Sequence, residues 1–234
     1  MKKIIRATLS LVLALSLAIL GTSCKNDKEN DVGVKSYGAS QYYETWKPFN
    51  ESMVHYVKID VKDCGDIILL LDASEAPATV ANFLQLVSDN FYDGLTFHRI
   101  IKNFMIQGGD PKADGTGNSK NTVDGEFWDN GYFFNRFQHL RGVISMARGD
   151  DMNSASCQFF ICNADSPHLN DKYAAFGFVI CGMSVVDYIT EKTVGYVDTS
   201  SGTISDKKKQ AVINSIEEIT KEEALAFVAA SQQQ

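Results

Sequence analysis

Phe97-His98-Arg99-Ile100-Ile101-Lys102-Asn103-Phe104-Met105-Ile106-Gln107-Gly108-Gly109-Asp110 is the stretch on which the reading of this chain turns. Apolar, β-favouring residues dominate Leu95–Ile101 and again Met105–Gly108, with Asn and Gly as punctuation, so two short strands are expected here. Taken singly, its residues say little. Arg99 alone would be a surface ion-pair partner, and Phe104 and Met105 would be core. Gly108-Gly109 and Gly115-Thr116-Gly117 are turn glycines, because no Gly-Lys-Ser/Thr follows to make a phosphate cradle. The information lies in the order of the whole segment and in what flanks it.

On the N-terminal side, Val54, Tyr56, Val57 and Ile59 predict a strand. Gly65 then breaks the chain before the apolar run Asp66–Leu71, and the pair reads as a hairpin. A helix opens at Pro77, with Val80, Phe83, Leu84 and Val87 on one face. On the C-terminal side, further short strands are expected at Gly142–Ala147, Ser156–Asn163, Phe176–Ile180 and Ala211–Ile219. A second helix is expected at Met183–Lys192, an exposed turn at Lys207–Lys209, and a short helix from Lys221 that ends in unstructured glutamines. Many short strands with two helices imply a closed antiparallel barrel.

Two further segments stand in register with the first: Gly142-Val143-Ile144-Ser145-Met146-Ala147 with Ser156-Cys157-Gln158-Phe159-Phe160-Ile161, and His168-Leu169 with Phe176-Gly177. Together the three resemble the active-site motifs of the cyclophilins, over about residues 53–219. The resemblance implies a mainly β fold, a closed eight-stranded antiparallel barrel capped by two helices, and peptidyl-prolyl cis/trans isomerase activity on proline-containing polypeptides. It places the catalytic arginine on Arg99, the apolar proline pocket on Phe104, Met105, Phe160 and Leu169, and a site-orienting glutamine on Gln107. Substrate contacts fall on Ala147, Arg148 and Gln158. His168 and Tyr173 stand where the best-known members carry Trp and His. The lost indole should weaken cyclosporin binding, since its flat surface and N–H donor are gone.

These residue types suit the reaction. The X–Pro bond has two nearly balanced isomers separated by about 18–20 kcal/mol of lost amide resonance. No covalent bond breaks, so no nucleophile, metal or cofactor is needed. An apolar pocket holds the proline ring, and a planar, permanently charged guanidinium favours the twisted amide. A non-catalytic proline-peptide-binding module using the same groove is the competing reading. It accompanies loss of the arginine or the pocket, and both are complete here. A barrel holding a small ligand inside would need a roomy interior.

The remaining chain bears on location. Lys2, Lys3 and Arg6 precede an apolar run, Ala7–Leu20, too short for a comfortable mature span and suited to a secretory signal. Leu20-Gly21-Thr22-Ser23-Cys24 resembles a bacterial lipoprotein processing site, with Gly21 where Leu is more usual. That implies cleavage after residue 23 and a lipidated Cys24. Expected organisation is therefore a signal peptide (1–23), a lipidated Cys24 with a flexible tether (24–52), the isomerase domain (53–219) and a C-terminal tail (220–234). The expected setting is the bacterial cell envelope, with the protein a lipid-anchored monomer facing the periplasm or the outer surface. Removing 1–23 takes away three positive and no negative charges, moving the net charge from −7 to −10, which disfavours nucleic acid and anionic lipid headgroups as partners. Cys64, Cys157, Cys162 and Cys181 read as packed thiols. Five positions along one strand would separate Cys157 from Cys162 by about 16 Å, too far for a disulfide.

Overall fold

The computed structural model describes Ser40 and residues 42–232; the expected signal segment and Cys24 lie outside the described residues. Eight strands form a barrel: β1 (Val54–Val61), β2 (Gly65–Asp72), β3 (Thr96–Ile101), β4 (Met105–Gly108), β5 (Val143–Met146), β6 (Phe159–Cys162), β7 (Ala175–Cys181) and β8 (Ala211–Ile219). Their order round the wall is β1-β2-β7-β5-β6-β4-β3-β8, closed by β8 pairing with β1, and every neighbouring pair is antiparallel. Closure leaves no unpaired edge. Period-2 alternation explains which residues turn inward: in β1, Val57, Ile59 and Val61 are fully buried, while Lys58 between them pairs with Glu217 of β8 at 2.5 Å.

Apolar side chains fill the interior. Ile59, Leu69, Phe97, Ile106, Phe159 and Ile161 pack with Val80, Phe83 and Val87 of α2 (Pro77–Ser88) and with Val185, Val186 and Ile189 of α3 (Met183–Thr193). Each such side chain contributes about 1.5–3 kcal/mol on burial. The two helices thus cap a solid barrel, and a roomy ligand chamber is ruled out as its interior. Ala76 offers no side chain to cap α2. The buried Glu126 does so from a distance, accepting from the Ala78 and Thr79 amides at 2.9 and 2.8 Å.

The barrel's outer face carries a second apolar layer, and here two expectations are corrected. The supposed tether is docked at Ser40 and from Tyr42 onward: the Ser40 amide donates to the Val179 carbonyl at 2.8 Å, and α1 (Tyr42–Thr45) leads into Trp46, stacked on Phe137 at 4.1 Å. The Trp46 indole also donates to the buried Asp72 carboxylate at 2.9 Å. Nor is the segment after 219 a tail. Thr220 and Glu223 form a capping box that starts α4 (Lys221–Ser231), which buries Ala224 and Val228 against Ile68, Phe178 and Ile180.

β6 is shorter than the expected Ser156–Asn163. The Ser156 carbonyl accepts from the Asn82 amide and the Cys157 carbonyl from the Tyr92 hydroxyl, so side chains satisfy groups that a strand would offer to its neighbour. Cys64, Cys157 and Cys162 are free thiols.

Candidate active site

The site lies outside the barrel, on β3, β4 and β6. Alternation sends Ile106, Phe159 and Ile161 inward and leaves Met105, Gln107, Phe160 and Cys162 on the outer face. Arg99 reaches that face through a bulge. The β3–β4 register runs Phe97 opposite Gly108, then Arg99 opposite Gln107, so His98 is an extra residue. In a regular strand Phe97 and Arg99 would share a face, and the guanidinium would point into the core. The bulge keeps Phe97 fully buried inside and turns Arg99 out beside Gln107. His98 is buried, and burial lowers its pKa, so its ring stays neutral.

Two contacts fix the guanidinium. Its Nε donates to the Ser201 carbonyl at 2.8 Å and its Nη1 to Gln107 Oε1 at 3.1 Å. Gln107 Nε2 donates to Gln158 Oε1 at 2.9 Å, and Gln158 Nε2 donates to the Gly117 carbonyl at 2.7 Å. A polar rail therefore runs from Arg99 to the Gly115–Gly117 turn. Partial burial draws the Arg99 pKa below its usual value, with Tyr173 opposing. An arginine so placed remains charged at any physiological pH.

Beside the rail is an open groove of about 190 Å³ lined by Arg99, Phe104, Met105, Gln107, Ala147, Arg148, Phe160, Leu169 and Tyr173. Met105, Phe160 and Leu169 form its floor with Cys162 beneath, a cluster separate from the barrel core. Burial pushes the Cys162 thiol up to about 12, so it packs as an apolar group. Arg148 does not point across the floor: it lies over the Tyr173 and Phe127 rings at 4.8 and 5.3 Å and donates to the Lys172 and Gly149 carbonyls.

All nine lining residues are among those singled out from sequence. The other two sit one step away: Gln158 behind Gln107, and His168 against the Phe104 ring at 5.1 Å. Two supports escaped sequence reasoning. One is the Ser201 carbonyl, a backbone group with no side-chain signature, although Asp198-Thr199-Ser200-Ser201-Gly202 has the composition of a tight turn. The other is His139, buried behind Phe160 and stacked on it at 5.9 Å. Asn170 Oδ1 accepts from the His139 backbone amide at 2.7 Å and faces its Nδ1 at 3.2 Å, so Nε2 is left to accept from the Ser145 hydroxyl at 3.0 Å. Among the described residues, no three or more His, Cys, Asp or Glu gather in a way that could hold a metal ion.

The closed antiparallel barrel of eight strands matches known cyclophilin structures in fold. Residues 56–218 match the family model described as cyclophilin type peptidyl-prolyl cis-trans isomerase/CLD. Similar proteins include the peptidyl-prolyl cis-trans isomerase CYP18-1 of Arabidopsis thaliana, 44% identical over 129 residues that cover 55% of this chain and 78% of the relative. The peptidyl-prolyl cis-trans isomerase A of Dickeya dadantii is 42% identical over 132 residues, 54% of this chain and 67% of the relative. Among solved structures, a cyclophilin type isomerase of Cryptosporidium parvum superposes with a TM-score of 0.62 at 29% identity, over 72% of this chain and 99% of that one. The same Cryptosporidium protein has been crystallised in the presence of the dipeptide Ala-Pro. The chain belongs to the cyclophilin type peptidyl-prolyl cis/trans isomerases. Its activity is the interconversion of cis and trans X–Pro peptide bonds.

Proposed function

We propose that Arg99 drives the rotation, with the prolyl ring seated on Met105, Phe160 and Leu169, and that the enzyme serves exported proteins from a lipid anchor at Cys24. What carries the site reading is the geometry of Arg99, two of whose donors are spoken for by Ser201 and Gln107 while the guanidinium borders the groove. As the amide twists, the prolyl nitrogen becomes pyramidal and its lone pair localises. The donors left on Arg99 meet charge that exists in the transition state and not in the planar ground state, which is the condition for catalysis. Five decades of acceleration need about 7 kcal/mol. Preorganised charged hydrogen bonds in a groove that excludes part of the water are of that order.

Gln107 is a positioning residue for the guanidinium, and Gln158 positions Gln107. Phe104, Ala147 and Tyr173 close the groove's sides, Arg148 braces one rim, and His168 backs Phe104. Arg99→Lys keeps the charge but loses the fork. It is expected to lower turnover about a hundredfold, in line with the removal of an oriented transition-state donor. Turnover equal to that of the wild type would show that a point charge suffices and the fork is irrelevant.

For location, the basic start, the Ala7–Leu20 run and Thr22-Ser23-Cys24 support export and lipidation, and the acidic mature chain agrees with a protein held by lipid and not by headgroup charge. Slow prolyl isomerisation limits folding outside the cytoplasm as it does inside. Cys24→Ala expressed in a bacterium should move the protein from the detergent phase to the aqueous phase. Unchanged partitioning would remove the anchor from the account.

A further inference from the structure

The turn that supplies the Ser201 carbonyl is unusually well determined for an exposed loop. Asp198 Oδ1 accepts four bonds: from the Ser200 and Ser201 amides, each at 2.9 Å, and from the Ser200 and Ser201 hydroxyls at 2.6 and 3.1 Å. Backbone bonds lock the same residues to each other and to β3. The Asp198 amide donates to the Thr203 carbonyl and the Gly202 amide to the Asp198 carbonyl. The Ile100 and Ile204 amides donate to the Gly202 and His98 carbonyls. Gly202 has φ +78°, and a Cβ there would come within 2.5 Å of Ile101 Cγ1, so the turn lies hard against the strand that bears Arg99.

From this we infer that Asp198 is a positioning residue for catalysis: it holds the Ser201 carbonyl where it fixes Arg99 Nε, and so sets which edge of the guanidinium the substrate meets. The inference rests on Arg99 as the catalytic group. Asp198 does not touch the groove; it acts through the turn. An arginine side chain has large rotameric freedom, and a site that orients it before substrate arrives has already met that cost in folding. One carbonyl bond on Nε and one amide bond on Nη1 define the plane and the rotation of the guanidinium. Without the first, the Gln107 bond alone leaves it free to swing. The four donors hold the Asp198 carboxyl down at about 2, so it accepts throughout the physiological range.

Because all four bonds converge on one oxygen, the test separates an acceptor from a charge. In the full chain, Asp198→Ala is expected to lower the catalysed exchange rate of a saturating Ala-Pro peptide about tenfold, which is about 1.4 kcal/mol of barrier. Peptide affinity should stay within about twofold, since the floor of the groove is untouched. The Arg99 Nε–H resonance should lose its protection from solvent exchange. Asp198→Asn, which keeps a side-chain carbonyl oxygen, should restore both turnover and protection. Unchanged turnover in Asp198→Ala overturns the inference, as does failure of Asp198→Asn to rescue. If Asp198→Ala does not fold, Ser200→Ala removes only the 2.6 Å hydroxyl bond and should cost about twofold to threefold in turnover; no change there is equally fatal. Protection of the Arg99 Nε–H is read without any assay of activity, so loss of protection with normal turnover rejects this inference, while wild-type turnover insensitive to Arg99 itself rejects the reading beneath it.

Discussion

Arg99 and Gln107 face each other across β3 and β4 only because the ladder slips by one residue at His98. The slip joins a guanidinium and a carboxamide on the outside of a barrel whose strand would otherwise bury one of them. The 3.1 Å bond between them is continued through Gln158 to the Gly117 carbonyl. Gln107→Ala should therefore free one side of the guanidinium and leave Gln158 Oε1 without its donor. We expect a fall of about tenfold in the catalysed exchange rate of an Ala-Pro peptide, with a melting temperature within a few degrees of wild type. Retention of full activity would remove Gln107 from the machinery.

Acid should weaken the fold before it titrates most carboxylates. Burial lowers the His139 pKa from 6.5 to about 4, and His98 is lowered in the same way. The folded state thus binds the proton less readily than the unfolded chain. The stability that neutral His139 contributes is complete above about pH 6.5 and is lost as pH falls to about 4, a window worth about 3 kcal/mol for this one group. Carboxylates with lowered pKa, such as Asp198, act only below that window. Urea unfolding at steps between pH 7 and pH 4.5 should show falling stability, and His139→Gln should flatten the slope. An unaltered slope would mean that other groups govern it.

The strap from Tyr42 to Phe49 should be part of the stable unit. Trp46 stacks on Phe137 and hydrogen-bonds Asp72, and Arg136 lies over the Trp46 and Phe49 rings while its guanidinium pairs with the fully buried Glu75. Trp46→Ala removes the stack and leaves Asp72 short of a donor, so a loss of about 3 kcal/mol in unfolding free energy is expected by denaturant titration. A loss below about 0.5 kcal/mol would mark the strap as peripheral.

Glu126 should matter as a helix cap, although it is remote in sequence from α2. Its two oxygens serve the first free amides of a helix whose own cap residue is alanine. Glu126→Ala is expected to cost about 2 kcal/mol, between an ordinary cap and a buried charged hydrogen bond. Thermal unfolding read by circular dichroism at 222 nm would check it, and an unshifted midpoint would assign the capping elsewhere.

Much of this was legible in the residues, for reasons that the structure makes physical. β4 and β8 lie at their expected bounds because alternation and flanking turns mark them. The groove was legible because three collinear motifs carry its side chains. What escaped has no side-chain signature or a misleading one. The bulge at His98 is invisible, since Phe97, His98 and Arg99 alternate like any strand. The Ser201 carbonyl belongs to the backbone. The strap was hidden by polar neighbours, although Tyr42 and Trp46 stand one helical turn apart and Phe49 follows. α4 was expected as a helix, but with a weakly apolar face its docking could not be read from spacing alone.

The central claim is that Arg99 lowers the rotational barrier of a proline seated on Met105, Phe160 and Leu169. Exchange spectroscopy on an Ala-Pro peptide, titrated into wild type and Arg99→Ala, measures it most directly, because the same spectra report binding through the protein's Phe160 and Leu169 signals. The account predicts that the variant still binds the peptide in the groove while catalysed exchange falls by about two to three decades. Undiminished exchange in Arg99→Ala, with the peptide bound, would contradict it.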